Sequence, residues 1–148
     1  MADTERQYKQ VLASCRELYS RKLNDYSSSW RILRIPSVTD QILNKAKRIR
    51  QIGESGIALV EEGIEPEFTG LVNYSIIGLI QIELGPTLEP DISKDEALKL
   101  YDKYSQEAFD LMMKKNHDYD EAWRGMRIGS MTDLILVKLF RVKQIEDH

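Results

Sequence analysis

Apolar residues recur three and four positions apart along almost the whole 148-residue chain, and no stretch alternates convincingly with period two. This spacing predicts an all-α protein. A first helix is expected from about Thr4 to Asp25, burying Tyr8, Val11, Leu12, Cys15, Leu18 and Tyr19, with a serine-rich loop over 27–36 after it. Ser37 is expected to cap a second helix, with Asp40 three residues on and a stripe of Val38, Ile42, Ala46, Ile49 and Ile52. Gly53 to Gly63 reads as a short helix or turn. Pro66 then opens the most apolar segment, Glu67 to Leu84, whose Phe68, Leu71, Val72, Ile76, Ile77, Leu79, Ile80 and Ile82 leave little polar surface and place it at the centre. Past a linker from Gly85-Pro86 to Pro90-Asp91, Ser93 and Glu96 form a capping box for a helix to about His117. Ser130 with Asp133 is expected to cap a last helix to about Asp147.

The polar positions repeat. Residues 18–52 and 111–145, compared at a constant offset of 93, are identical at 17 of 35 positions. The shared frame holds Leu18, Lys22, Asp25-Tyr26, Trp30-Arg31, Arg34-Ile35, Ser37, Thr39-Asp40, Lys45 and Arg48 against Leu111, Lys115, Asp118-Tyr119, Trp123-Arg124, Arg127-Ile128, Ser130, Thr132-Asp133, Lys138 and Arg141. A repeated core needs only repeated hydrophobicity, so the return of charges and rings points to a duplicated site. The fold expected is a helical bundle of two homologous halves, residues 1–90 complete and 91–148 lacking the last, apolar helix. Met131, Ile135, Leu139, Val142 and Ile145 of the second half then need a cover: the first half's apolar helix shared by both, a second chain, or a segment beyond His148 if the chain is a truncated form. A homodimer is the expectation, because a large uncovered apolar patch is unusual on a monomer.

A net charge of −3 with 30% charged residues describes an ordinary surface, not an extended nucleic-acid surface. The first ten residues are polar, and no apolar run approaches the roughly 20 residues that span a bilayer. With Cys15 as the single cysteine, a cytoplasmic protein without disulfides is expected. Two histidines and one cysteine without paired ligand spacing argue against structural zinc. The chain shows no glycine-rich phosphate loop, nucleophile triad or paired-carboxylate site.

Cations on the apolar stripes carry the candidate chemistry. On a helical wheel Lys45 falls between Val38 and Ile52, with Arg48 at the edge, and Lys22 lies on the line of Val11, Cys15 and Leu18 beside Asp25 and Tyr26. A lysine there snorkels, pairs with a carboxylate or lines a cleft, since an unpaired buried ammonium is too costly. The structural reading is a bridge from Lys22 or Lys45 to Asp25. The functional reading is that Lys22, Arg31, Arg34, Lys45 and Arg48 converge on an anion with Tyr26 or Trp30 against an aromatic group, as suits a nucleotide. The same set recurs as Lys115, Asp118, Tyr119, Arg124, Arg127, Lys138 and Arg141. Asp40 and Asp133 read first as caps. Carboxylates gather at Glu61, Glu62, Glu65 and Glu67, where Glu62 and Glu65 are the candidate magnesium ligands, although an acidic helix start is favoured by the helix dipole in any case.

Lys22-x-x-Asp25-Tyr26, Ser37-x-x-Asp40-x-x-x-x-Lys45-x-x-Arg48, and Glu62 followed by Leu71-x-Asn73-Tyr74 resemble the bacterial and phage family called nucleotide modification associated domain type 1, in its duplicated Bacteroidetes form. The pattern is similar, more distantly, to all-α nucleotide pyrophosphohydrolases. Against the family pattern, Ser27 and Asp120 stand where a glycine is expected, and Pro66 and Gly70 where aspartates are. The resemblance implies a nucleotide or other phosphate-bearing small molecule as ligand. It also implies a link to nucleotide or DNA-modification metabolism. As an enzyme it would be a nucleoside triphosphate pyrophosphohydrolase with Mg2+ held among Asp25, Glu62 and Glu65; departure from the pattern instead implies a degenerate binding form. The alternative is a noncatalytic helical scaffold or adaptor whose repeated polar residues are structural.

Overall fold

The computed structural model describes residues 2–55 and 63–148. They form five helices: α1 (Ala2–Tyr26), α2 (Ile35–Ser55), α3 (Glu65–Leu84), α4 (Lys94–Tyr119) and α5 (Ile128–Glu146), with 3-10 turns at Ser29–Ile32 and Ala122–Gly125. There is no strand among the described residues. The fold is an all-α bundle, and no helix is long and apolar enough to cross a membrane among those residues.

The most apolar helix is central, as expected: α3 packs on α2, α4 and α1. Its Ile76, Ile77 and Ile80 join Tyr19 and Leu23 of α1, Val38 of α2, and Ala97 and Tyr101 of α4 in the main core. Each of the isoleucine, leucine and valine side chains among them contributes roughly 1.5–3 kcal/mol when removed from water. A second cluster joins Ala46 and Ile49 of α2, Leu71 of α3 and Leu139 of α5. The other main pairings are α1 with α4 and α2 with α5. Both run antiparallel: Arg16 meets Asp102 while Tyr8 meets Phe109, and Asp40 meets Lys143 while Arg50 meets Asp133.

Several expectations change. Helix α2 begins at Ile35, so Ser37 lies inside its first turn and is not the cap; Pro36, with φ already fixed near the helical value, enters the helix instead of closing the loop. In the same way α5 begins at Ile128, with Arg127 and not Ser130 at the cap position. Asp40 and Asp133 form ion pairs across the α2–α5 interface. Val11 is 60% exposed on the outer face of α1. The capping box at Ser93 is present, its hydroxyl accepting from the Glu96 amide at 3.1 Å. Of the second-half stripe, for which a homodimer is the expected cover, Leu139 is buried and Ile135 half-buried against Ala46 and Ile49 of α2 and Leu71 of α3 within the chain itself. Val142 and Ile145 stay exposed.

Candidate functional site

A cleft of about 770 Å³ opens between the end of α1, the first 3-10 turn, α2 and the start of α3. Lys22 and Tyr26 reach it from α1, Trp30 from the turn, Lys45 from α2, and Glu67, Asn73 and Tyr74 from α3. Apolar Leu18, Leu23, Leu33 and Ile77 complete the wall.

Lys45 crosses the cleft because α3 has no side chain at Gly70. A Cβ there would stand 3.1 Å from Lys45 Cε and 3.2 Å from Cδ, too close without displacing the lysine stem. The ammonium reaches 3.5 Å from Glu67 Oε2, while Arg48 Nε donates to Glu67 Oε1 at 2.9 Å. One carboxylate thus neutralises two cations. Lys22 is exposed and makes no ion pair among the described residues.

Among the described residues two buried side-chain polar atoms lack a hydrogen-bond partner, and both belong to residues lining this cleft: Trp30 Nε1 and Glu67 Oε2. A buried indole N–H left without an acceptor is costly and marks a place that a ligand or water satisfies. The wall behind it is fixed. The Asn73 amide donates to the Cys15 carbonyl at 3.0 Å and accepts from the Tyr101 hydroxyl at 2.8 Å, and the Tyr19 hydroxyl donates to the Ala97 carbonyl at 2.9 Å. Burial pushes the Tyr19 and Tyr101 phenols far above their ordinary range and raises the Cys15 thiol, so all three are neutral packing groups.

The other sequence-predicted residues are distributed differently. Arg31 is buried and turned away from the cleft. Its guanidinium donates to Asp91 at 2.8 Å, to the Gly85 carbonyl at 2.6 Å and to Gln81 Oε1, tying the first turn to the end of α3. That hydrogen bond holds the Asp91 carboxyl below the usual range. Arg34 and Asp25 are exposed and make no side-chain hydrogen bond or ion pair among the described residues, so the bridge expected from Lys22 or Lys45 to Asp25 is replaced by Lys45–Glu67. Glu65 is exposed in the first turn of α3, and Glu61 and Glu62 lie outside the described residues. Among the described residues no three His, Cys, Asp or Glu side chains group as a metal site. Trp30's orphan N–H and Gly70's clearance left no signal in the sequence, since the first depends on what packs around the 3-10 turn and the second on how Lys45 of α2 passes α3.

The second half assembles only part of this. A cavity of about 440 Å³ is lined by Ala108, Leu111, Met112, Lys115, Asn116 and Trp123. Shifted back by 93, five of these six positions are Leu18, Tyr19, Lys22, Leu23 and Trp30 of the first cleft. Among the described residues no helix takes the place of the α3 wall there. Lys115, Asp118, Tyr119, Arg127, Lys138 and Arg141 are all exposed. Trp123 Nε1 is satisfied by Asn116 at 2.8 Å, and Arg124, the counterpart of Arg31, instead stacks on Trp123 and donates to Gln7 at 2.9 Å and to Glu121 at 3.0 Å.

Fold and site together define an all-α bundle with one complete lysine-and-aromatic cleft and one open half-cleft. The sequence matches the family described as nucleotide modification associated domain 1 over residues 22–82 and 115–148, and the chain belongs to that family. The two matched segments begin at Lys22 and Lys115, at the offset of the repeat, consistent with a partial duplicated form. No curated protein and no solved structure matches the chain.

Proposed function

We propose that the chain is a cytoplasmic nucleotide-binding protein of nucleotide or DNA-modification metabolism, and that the cleft of the first half is the binding site. The observation that carries this reading is the lining of the cleft, which combines Lys22 and Lys45 with Tyr26, Trp30 and Tyr74 and includes a buried indole N–H without a partner among the described residues. Ammonium groups suit phosphate oxygens, and rings suit a base. The family supports the same class of ligand.

A binding role is favoured over hydrolysis by Glu67. The carboxylate that enters the cleft is already shared between Lys45 and Arg48, which leaves it poorly placed to donate to Mg2+. The pyrophosphohydrolase reading rests on Asp25, Glu62 and Glu65. Calorimetry with nucleoside mono-, di- and triphosphates, with and without Mg2+, separates these readings from the scaffold alternative. Saturable binding lost on Lys45→Met supports the site, Mg2+-dependent release of pyrophosphate supports the enzyme, and no heat with any nucleotide refutes both.

We also propose a homodimer. Leu134, Val137 and Phe140 form an exposed ridge on α5 where the first half has Gln41, Asn44 and Lys47. Monodisperse monomer by light scattering at micromolar concentration refutes it.

A further inference from the structure

We infer that Glu67 is a specificity-determining residue of the first cleft, one that makes it select nucleoside monophosphates over di- and triphosphates. This deepens the nucleotide-binding reading and rests on it.

The balance of charge in the cleft carries the inference. Among the described residues its lining holds three charged side chains, Lys22, Lys45 and Glu67. Arg31 is buried against Asp91, Gln81 and Gly85, and Arg34 lies outside the lining, so neither adds a cation. Lys22 is exposed and makes no ion pair among the described residues, whereas the Lys45 ammonium already stands 3.5 Å from Glu67 Oε2. One ammonium is therefore uncommitted and one is shared. A single phosphate monoester carries a charge of about −1.5 to −2 near neutral pH, which two ammonium groups offset. Each further phosphoryl group adds negative charge that no third lining cation meets.

Glu67 is held where it opposes that charge. Its side chain is 13% exposed, and Arg48 Nε donates to Oε1 at 2.9 Å. Lys45 is confined as well, because its stem lies in the notch at Gly70, where a Cβ would stand 3.1 Å from Cε. A phosphate oxygen taken by this ammonium at about 2.8 Å thus stands no more than about 6.3 Å from Glu67 Oε2. Beside the apolar Leu18, Leu23, Leu33 and Ile77, like charges at that range are screened less than in water. One phosphate meets two cations against one carboxylate and is held. A polyphosphate must either bring its further anionic groups toward Glu67 or leave them outside the reach of both lysines, and a fixed like charge discriminates in this way against the wrong ligand.

Calorimetry on the full chain without Mg2+, with the mono-, di- and triphosphates of adenosine and of thymidine, tests this. In the wild type the monophosphate that binds is expected to bind at least about tenfold more tightly than its triphosphate, and Glu67→Gln, which still accepts from Arg48, is expected to shrink that ratio at least about tenfold. Glu107→Gln removes the same charge from an exposed position on α4 and should leave the ratio as in the wild type. Circular dichroism reports whether each variant is folded, and the wild-type ratio decides the matter if Glu67→Gln is not. A wild-type triphosphate that binds as tightly as its monophosphate, or a folded Glu67→Gln chain with an unchanged ratio, overturns the inference and leaves nucleotide binding standing. No binding of any of these nucleotides overturns the nucleotide reading itself, and the inference with it.

Discussion

Arg50 of α2 reaches Asp133 of α5 at 3.7 Å, and the residues 93 positions away from each, Lys143 and Asp40, pair across the same interface at 3.9 Å. The two ion pairs are reciprocal: each aspartate sits in the first turns of one helix and meets a cation in the last turns of the other. Midway between them Ala46 packs in one cluster with Leu139, its own counterpart in the repeat. The α2–α5 interface therefore has the form of a twofold contact made within one chain. Its energy should lie in the centre and not at the ends. The ion pairs are exposed and long, so Asp40→Ala and Asp133→Ala should each cost under about 1 kcal/mol. Leu139→Ala should cost about 2–5 kcal/mol in urea unfolding.

Lys45→Met should lose nucleotide binding while changing the unfolding free energy little. Glu67 keeps Arg48 at 2.9 Å after the change, so no buried carboxylate is stranded, and the methionine follows the lysine stem past Gly70. A large loss of stability without any ligand response in the wild type would make Lys45 a structural group.

Arg31 and Arg34 have equal standing in the sequence and unequal standing in the fold. Arg31→Ala strips partners from the Gln81 side chain and the Gly85 carbonyl and should cost about 2–3 kcal/mol, in the range of hydrogen bonds to charged groups. Arg34→Ala should fall within about 0.5 kcal/mol of wild type. Thermal melts of the two variants side by side check this.

Ser27 and Asp120, at equivalent positions of the repeat, have φ of 53° and 49°. Only glycine adopts this left-handed region without a steric cost of roughly 1–2 kcal/mol. Ser27→Gly should raise the melting temperature, by the part of that cost, about 0.5–1 kcal/mol, that exceeds glycine's extra chain entropy.

Acid should loosen the anchor at the end of α3. Arg31 lowers the Asp91 carboxyl from its ordinary 3.8, and Lys103 and Tyr104 lower Glu83. For a depressed carboxylate the folded state binds protons less well than the unfolded chain. Its stabilisation is therefore complete above about pH 4 and is lost as pH falls through the folded value. Asp91→Asn should melt earlier than wild type near about pH 7, and the difference should shrink as pH falls below the ordinary carboxyl range and through the folded value of Asp91.

The sequence by itself determined the helices, the central place of the Glu67–Leu84 segment, the repeat, and the lysines Lys22 and Lys45 that the cleft brings together. These are local or periodic properties: spacing of apolar residues, helix-start chemistry, and identity at a fixed offset all act within a turn or two of chain. Tertiary structure alone decided which acid meets Lys45, because Glu67 reaches it only through the crossing of α2 over Gly70. It decided that buried Arg31 anchors the end of α3 while its counterpart Arg124 holds α1, since the partners of both lie far along the chain. It also decided that identical residues do different work in the two halves. Lys45 and Lys138 share a sequence context, yet one faces a helix and the other faces water, because burial depends on what packs opposite and a repeat carries no record of that.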